Sequence, residues 1–217
     1  MKYPPPHHQE ANFKNCIYLA KAFPLATVIS SLEGRIYSSH IPLVYQQNEG
    51  YGVFVGHLDR FNPQWKTFQE QPPVTLIFHG PETYISPSVY HSTQLPTWNY
   101  FKAHFTGIPR LIDNPKKVKE SLIAMTEVLE GSEPGYRLAA DNPRMEAALP
   151  YIIGFEIEIT TWEGKHKISQ DKSKKDQSEA QKALENKYPS MLDIIQNLYA
   201  QHQTKTKSTD ESTPPNP

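Results

Sequence analysis

The spacing of apolar residues along this chain predicts many short strands and a few helices. Apolar and polar residues alternate in half-buried strands, whereas apolar residues recur every three or four positions in helices. Alternation predicts strands over residues 25–31, 35–45, 52–57, 74–79, 100–108, 153–162 and 165–170. Helical spacing and capping residues predict helices over residues 11–22, 63–70, 115–129, 144–149 and 173–185, and a last helix beginning near residue 189. Strands and helices do not alternate regularly, so we expect a mainly β fold: an antiparallel β-barrel, closed or split, with peripheral helices.

Two Glu-Gly dipeptides predict where strands are joined. Glu33-Gly34 predicts a tight turn between the first two strands, and Glu163-Gly164 predicts a turn between the last two. We expect the first three strands to form an antiparallel meander, because their connections are short.

The segment from His57 to Trp65 predicts a capped helix start. Asn62 is a good N-cap, and Pro63 fits the first helical position, where its missing N–H is not needed. Backbone N–H groups and the helix dipole favour an anion at such a start. His57 and Arg60, just ahead of it, are candidate phosphate contacts. The alternative, equally favoured by spacing, is that Arg60 is a surface residue and Asn62 only a cap.

Composition narrows the class of protein. A single cysteine, Cys16, excludes an intrachain disulfide and favours a reducing cytosol, so a cytoplasmic location is expected. No apolar run is long enough to span a membrane. The net charge of −1 does not predict a broad basic face, so direct DNA binding is left open. No HExxH or CxxC spacing occurs, and no metal site is predicted.

Residues 74–100 carry an unusual concentration of aromatic and hydroxyl side chains. They include three prolines, three tyrosines, two histidines and the dipeptide Trp98-Asn99. With no nucleophile beside an obvious base, this composition favours a seat for a planar cofactor over a hydrolytic site. Residues 38–43 form a second candidate, because a strand backbone can contact a ring system; an ordinary hairpin arm is the alternative.

The motifs together are similar to those of a known family. Over about residues 1–185 the chain resembles the PaiB-type family, the FMN-binding negative transcriptional regulators. The most specific series is HGP at residues 79–81, YISP at 84–87 and PTWNY at 96–100. Further matching segments lie at residues 23–27, 39–43, 56–58, 60–65, 154–157 and 167–170.

The resemblance implies a split β-barrel of the pyridoxamine-oxidase-like kind, with FMN held at the interface of a homodimer. The strand at residues 39–43 would then line the isoalloxazine ring, and residues 57–65 would take the phosphate. Lys167 and Gln170 would close the site, from the same or the partner subunit. The predicted cofactor contacts are Ser39, His40, Ile41, Leu43, His57, Arg60, Asn62, Gln64, Trp65, Tyr84, Ser86, Trp98, Asn99, Lys167 and Gln170.

The resemblance leaves two roles open for such a flavin protein. It is either a transcriptional regulator or a flavin-dependent redox protein, and no catalytic residue is predicted. The alternative function is that of a haem-binding or haem-degrading split-barrel protein. The expected organisation is a split-barrel domain over residues 1–185, a C-terminal helix over 186–202 and a disordered tail over 203–217.

Overall fold

The computed structural model describes residues 5–209, with side chains as far as residue 202. The strands are β1 (Gln9–Glu10), β2 (Leu25–Leu32), β3 (Arg35–Pro42), β4 (Val44–Gln46), β5 (Val53–Asp59), β6 (Val74–Ile85), β7 (Thr97–Ile112) and β8 (Ile152–Lys167). The α-helices are α1 (Phe13–Ala22), α2 (Pro115–Glu130), α3 (Pro143–Ala148), α4 (Lys174–Lys187) and α5 (Leu192–Thr209). Five short 3-10 helices complete the described elements: Pro6–His8, Pro63–Phe68, Pro87–Val89, Leu149–Tyr151 and Pro189–Met191.

All eight strands belong to one sheet. Their order is β3-β2-β6-β7-β8-β5-β4, with β1 paired to β8. The pairs β1–β8, β2–β3, β2–β6, β4–β5 and β5–β8 are antiparallel. The mainly antiparallel sheet with peripheral helices that the sequence predicted is confirmed. The pairings of the predicted meander are confirmed: β2 pairs with β3, and β5 pairs with β4, which forms the second part of the predicted strand 35–45.

The chain divides into two compact units. The terminal unit comprises Met1–Ala22, His79–Ala103 and Glu163–Pro217, and the central unit comprises Phe23–Phe78 and His104–Trp162.

The core of the central unit is aromatic. Phe54 of β5 packs against Phe78 of β6 and Phe105 of β7, with ring centroids 4.8 and 5.0 Å apart. All three side chains are almost fully buried, as the alternation along their strands predicts. A Cβ at Gly56 would lie 2.5 Å from Leu43 and 2.8 Å from Phe155, so only glycine permits this packing beside His57.

The core of the terminal unit joins β7 and β8 to the last helix. The Phe101 ring lies 4.9 Å from the His166 ring and 5.5 Å from the Tyr199 ring, both edge-on. Ile195 and Leu198 of α5 are fully buried. Together with Tyr199, these residues form the packed face of α5, whereas Leu192 at its start is 39% exposed.

Two predicted connections are different in the structure. No turn occurs at Glu163-Gly164: β8 is one strand from Ile152 to Lys167. Gly164 instead permits close approach, because a Cβ there would lie 2.6 Å from both Cys16 Sγ and Glu10 Cβ. The predicted strand 35–45 is divided into β3 and β4 at Leu43, whose N–H donates to the Pro24 carbonyl at 2.9 Å.

The last helix is longer than the sequence predicted. The predicted helix over 186–202 corresponds to the end of α4 and to α5, which continues to Thr209. The disordered tail predicted for residues 203–217 thus overlaps α5, and its last part, 210–217, lies outside the described residues. Among the described helices, none combines the length and the apolar character needed to cross a membrane.

Candidate functional site

The fifteen predicted cofactor contacts fall into both units. The central unit holds Ser39, His40, Ile41, Leu43, His57, Arg60, Asn62, Gln64 and Trp65. The terminal unit holds Tyr84, Ser86, Trp98, Asn99, Lys167 and Gln170.

Asn62 connects β3 to the 3-10 helix that it caps. Its Oδ1 accepts a hydrogen bond from the Gln64 N–H at 3.0 Å, which confirms the predicted N-cap. Its Nδ2 donates to Ser39 Oγ at 2.8 Å. Two of the predicted contacts, 23 residues apart, are therefore held side by side.

Arg60 is fixed by its backbone and by one edge of its guanidinium. Its N–H donates to the Tyr151 carbonyl at 2.8 Å, and its Nε donates to the Pro150 carbonyl at 2.7 Å. Its own carbonyl accepts from Trp65 Nε1 at 3.0 Å. The side chain is exposed. A guanidinium oriented in this way retains its fork of Nη donors for an anion.

The predicted anion site at the helix start is weaker than the sequence suggested. The helix is a 3-10 helix of six residues, Pro63–Phe68, rather than a longer helix reaching Glu70. Pro63 has no N–H, and the Gln64 N–H is already bonded to Asn62. The helix start therefore offers few free donors, and Arg60 is the main positive group of the cluster.

His57 does not bring a positive charge to this cluster. Its Nε2 lies 2.8 Å from Ser121 Oγ, and Ser121 donates its own hydrogen to the Val118 carbonyl at 2.8 Å. His57 Nε2 is therefore the donor to Ser121. Burial lowers the pKa of His57 to about 4, so the imidazole is neutral near pH 7. If His57 contacts a phosphate as predicted, it does so near pH 7 as a neutral imidazole.

Three central residues of the set are closed to solvent. Gln64 is fully buried, and its Nε2 donates to the Val28 carbonyl and to Ser30 Oγ, both at 3.0 Å. Ile41 and Leu43 are 3% and 1% exposed. Their side chains support the strand, so any ligand contact at these positions is made by the backbone.

The terminal unit presents an exposed aromatic pair. Tyr84 and Trp98 are each 49% exposed, and their rings meet edge to face with centroids 6.1 Å apart. Ser86 caps the following 3-10 helix, because its Oγ accepts from the Ser88 N–H at 3.3 Å. The pair offers ring faces to a planar ligand.

The other terminal residues of the set are occupied within their unit. Asn99 is fully buried, and its Oδ1 accepts from Ser169 Oγ at 3.0 Å. Lys167 Nζ donates to Thr97 Oγ1 at 2.5 Å. Gln170 accepts the Ile168 N–H through Oε1 at 2.8 Å and donates through Nε2 to the His166 carbonyl. Of these three, Lys167 alone carries a charge that an anion would attract.

A measurable cavity lies elsewhere in the central unit. It has a volume of about 220 Å³ and is lined by Thr126, Glu127, Gly131, Ser132, Pro134, Tyr136 and Arg137. No predicted cofactor contact lines it. Its volume is below the roughly 300–1,000 Å³ of pockets that enclose drug-sized ligands, so it does not suit a flavin.

Residues 2–161 match the family described as "Putative FMN-binding domain". The chain belongs to this family. The matched range contains every predicted cofactor contact except Lys167 and Gln170. The family assignment made from the motifs is therefore confirmed.

A curated relative and two solved structures are similar to this chain. The protease synthase and sporulation protein PAI 2 of Bacillus subtilis is 26% identical over 193 residues, covering 85% of this chain and 89% of that protein. The FAD and heme binding protein of Mycobacterium smegmatis has a TM-score of 0.60 at 19% identity, covering 79% of each chain. A flavocytochrome of Azotobacter vinelandii has a TM-score of 0.57 at 14% identity, covering 78% of this chain and 74% of that one. These structural likenesses support the split-barrel fold class that the sequence predicted.

Several residues that shape the site carried no sequence signal. Ser121 and Pro150 hold His57 and Arg60 from 64 and 90 residues away. Glu10, His166 and His202 converge within the terminal unit. Their separations in the chain follow no motif spacing, so only the folded structure shows that they are close together.

Proposed function

We propose that this member of the family binds FMN as a homodimer, with Arg60 contacting the phosphate and the outer edge of β3 contacting the isoalloxazine ring. The observation that carries the proposal is the fixed, exposed guanidinium of Arg60, two residues before Asn62, which is bonded to Ser39; all three residues lie within the range that matches the family. The proposed site combines the fixed guanidinium of Arg60, the hydroxyl of Ser39 and the edge of β3.

Arg60 suits the phosphate because it combines charge, exposure and a fixed position. Its Nε is bonded to the Pro150 carbonyl and its backbone N–H to the Tyr151 carbonyl. The side chain is therefore already restricted in its rotamers, and it loses less conformational entropy on binding a ligand than a free arginine would. A guanidinium binds phosphate oxygens through two parallel N–H bonds. Ser39 Oγ on β3, which accepts a hydrogen bond from Asn62, adds a hydroxyl.

The ring would lie against β3 because this strand ends the strand order. β2 pairs with one side of β3, and no strand among residues 5–209 pairs with the other side. An edge strand has unpaired N–H and C=O groups that a ligand can contact. His40 is exposed on it, with Nδ1 3.1 Å from Thr27 Oγ1.

The exposed apolar surface favours a second copy of the chain. Phe61 is 79% exposed and Tyr151 is 54% exposed, and their rings stack with centroids 6.2 Å apart. Both adjoin Arg60 or its partners. Val128 and Leu129 of α2 are also exposed, at 59% and 48%. Exposed aromatic rings such as Phe61 and Tyr151 are typical of a surface that a partner covers. We therefore propose that the dimer forms through the face of the central unit that carries these two rings.

The bound flavin would supply redox chemistry, while this chain binds and orients it. A regulatory role is the other part of the proposal: the flavin state would set the activity of a cytoplasmic regulator. The relative PAI 2 is named for protease synthesis and sporulation, and that name describes that protein. Direct contact with DNA would show as promoter binding that weakens steeply with salt.

Haem binding is not part of the proposal. Haem is named for the Mycobacterium smegmatis protein, but a likeness at 19% identity supports the fold alone. Both His57 and His40 already have a hydrogen-bonding partner.

Flavin titration of the purified full chain tests the proposal. We expect added FMN to be retained through gel filtration, with its visible absorption band shifted and its fluorescence quenched, at one FMN per chain. The eluting species should have twice the 24.8 kDa mass of the chain. A chain that stays monomeric and elutes without flavin at micromolar FMN contradicts the proposal.

A further inference from the structure

A cluster of one carboxylate and two imidazoles lies in the terminal unit, and none of its three members is a predicted flavin contact. We propose that Glu10, His166 and His202 bind a divalent transition metal ion, with zinc as the best fit. Glu10 is on β1, His166 on β8 and His202 on α5. The proposal does not rest on flavin binding, because none of the distances that carry it involves a flavin.

The distances fit a metal better than they fit hydrogen bonds. Glu10 Oε2 lies 3.4 Å from His166 Nδ1 and 3.5 Å from His202 Nδ1. A charge-assisted N–H···O bond is shorter, at about 2.7–2.9 Å. In a tetrahedral zinc site with bonds of about 2.0–2.1 Å, neighbouring ligand atoms are separated by about 3.3–3.4 Å. The three ligand atoms lie within 4.8 Å of one another, so a small movement of His202 completes the triangle.

The surroundings favour a metal held by few ligands. The side chains of Glu10 and His166 are fully buried, and that of His202 is 13% exposed. The Phe101 ring closes one side of His166 at 4.9 Å. Glu10 Oε1 accepts the Asn12 N–H at 2.8 Å, which fixes the carboxylate and leaves Oε2 directed at the imidazoles. Two histidines, one glutamate and a water are a donor set that zinc accepts.

The proton on His202 changes place when a metal binds. The amide of Gln170 is oriented by the Ile168 N–H and the His166 carbonyl, and its Nε2 lies 3.3 Å from His202 Nε2. Without metal, the amide donates to Nε2, and the His202 proton sits on Nδ1 towards Glu10. A metal at Nδ1 moves this proton to Nε2, so the contact with Gln170 must open. Metal binding therefore requires a small displacement of α5 relative to Gln170.

His7 and His8 provide the competing explanation for any zinc binding. Their rings lie 4.1 Å apart near the N-terminus, and such a pair can take up zinc adventitiously. Two sets of variants separate the sites: Glu10→Gln and His202→Ala remove ligands of the cluster, and the double variant His7→Ala with His8→Ala removes the pair. His91→Ala, an exposed histidine of the same unit, is the matched control.

The experiment uses the full chain, stripped with a chelator and titrated with zinc chloride by calorimetry. We expect one zinc per chain, and a cobalt(II) form with the intense visible bands of a four-coordinate N/O site. Glu10→Gln and His202→Ala should each weaken zinc binding by about 100-fold or more, given that loss of an outer-shell partner alone costs 10–100-fold. The other two variants should bind as the unmodified chain does.

Three results would overturn the proposal. One is the absence of stoichiometric zinc in the unmodified chain. Another is zinc affinity that survives both Glu10→Gln and His202→Ala. The last is affinity that disappears with His7 and His8. Thermal unfolding of each variant, with and without zinc, distinguishes a lost ligand from a misfolded protein. Without metal, all variants should unfold near the midpoint of the unmodified chain, and zinc should raise the midpoint of the unmodified chain and of the two other variants but not of Glu10→Gln or His202→Ala.

Discussion

The Nε of Arg60 donates a 2.7 Å hydrogen bond to the carbonyl oxygen of Pro150, 90 residues further along the chain. This bond places a positive side chain at the end of β5 with a defined direction. An exposed arginine ordinarily loses considerable side-chain entropy when it binds a ligand. Because part of that entropy is already lost in the fold, Arg60 is a better phosphate ligand than an unrestrained surface arginine.

Gln64 should be essential for stability. Replacing it with alanine removes two hydrogen bonds of 3.0 Å and leaves the Val28 carbonyl and Ser30 Oγ with fewer partners. We expect Gln64→Ala to lower the free energy of unfolding by about 2–3 kcal/mol, measured by urea denaturation. Gln69→Ala, at the exposed end of the same helix, is the control and should change it by less than about 0.5 kcal/mol. Equal effects of the two would contradict the buried role of Gln64.

Gly164 should tolerate no side chain. A Cβ there would lie 2.6 Å from Cys16 Sγ and from Glu10 Cβ, so β1, α1 or β8 would have to move. We expect Gly164→Ala to cost about 1–3 kcal/mol of unfolding free energy. Gly135→Ala is the control, since its nearest neighbour would be Glu130 Oε2 at 3.9 Å. If Gly164→Ala were as stable as this control, close approach would not be the reason for the glycine.

His57 should make stability depend on pH in the mildly acidic range. Burial lowers its folded pKa from 6.5 to about 4, so the unfolded chain binds the proton more readily. Its contribution is intact above pH 6.5 and falls as the pH drops towards 4. When the pH is lowered from 7.5 to 5, protonation of this residue in the unfolded chain should reduce the free energy of unfolding by about 2 kcal/mol.

The variant His57→Gln should lose that part of the pH dependence, because glutamine does not titrate. Urea denaturation at the two pH values measures the difference. His91→Gln, an exposed histidine, should keep the full pH dependence of the unmodified chain. A His57→Gln protein that is as acid-sensitive as the original would show that His57 is not neutral in the fold.

Local signals in the sequence were sufficient for several elements. Asn62 caps its helix as predicted, because the cap depends only on residues two positions away. Glu33 and Gly34 both adopt positive φ, at 50° and 77°, as a tight strand turn requires. The fold class and the family also followed from strand spacing and motifs, and both are confirmed.

Predictions that depended on distant neighbours were less successful. Glu163-Gly164 has the composition of a turn, but the glycine is needed for its approach to Glu10, more than 150 positions earlier in the chain. The charge state of His57 depends on its burial, and its hydrogen-bonding partner Ser121 lies 64 residues away. Glu10 and His202 are 192 residues apart, and no spacing rule connects them. Such relationships arise from tertiary packing, which local pattern does not contain.

Phe61 should control association of the chain. A charge at this 79% exposed position would have to be buried in the proposed interface, which is unfavourable. We expect Phe61→Glu to convert the dimer to a monomer of 24.8 kDa, measured by light scattering after gel filtration. Leu95→Glu, 83% exposed in the terminal unit, should leave the dimer intact. A dimeric Phe61→Glu protein would place the interface elsewhere.

The affinity for FMN compared with that for riboflavin, which lacks the phosphate, tests the central claim most directly. The unmodified chain should bind FMN more tightly, and Arg60→Ala should weaken FMN binding by about 10–100-fold, the equivalent of one or two charge-assisted hydrogen bonds. Riboflavin binding should be unchanged in that variant. Arg137→Ala, which removes the same charge from an exposed position beside the cavity that no predicted cofactor contact lines, is the control and should bind both as before. Equal affinity of the unmodified chain for the two flavins, or FMN binding that is indifferent to Arg60→Ala, would contradict the account.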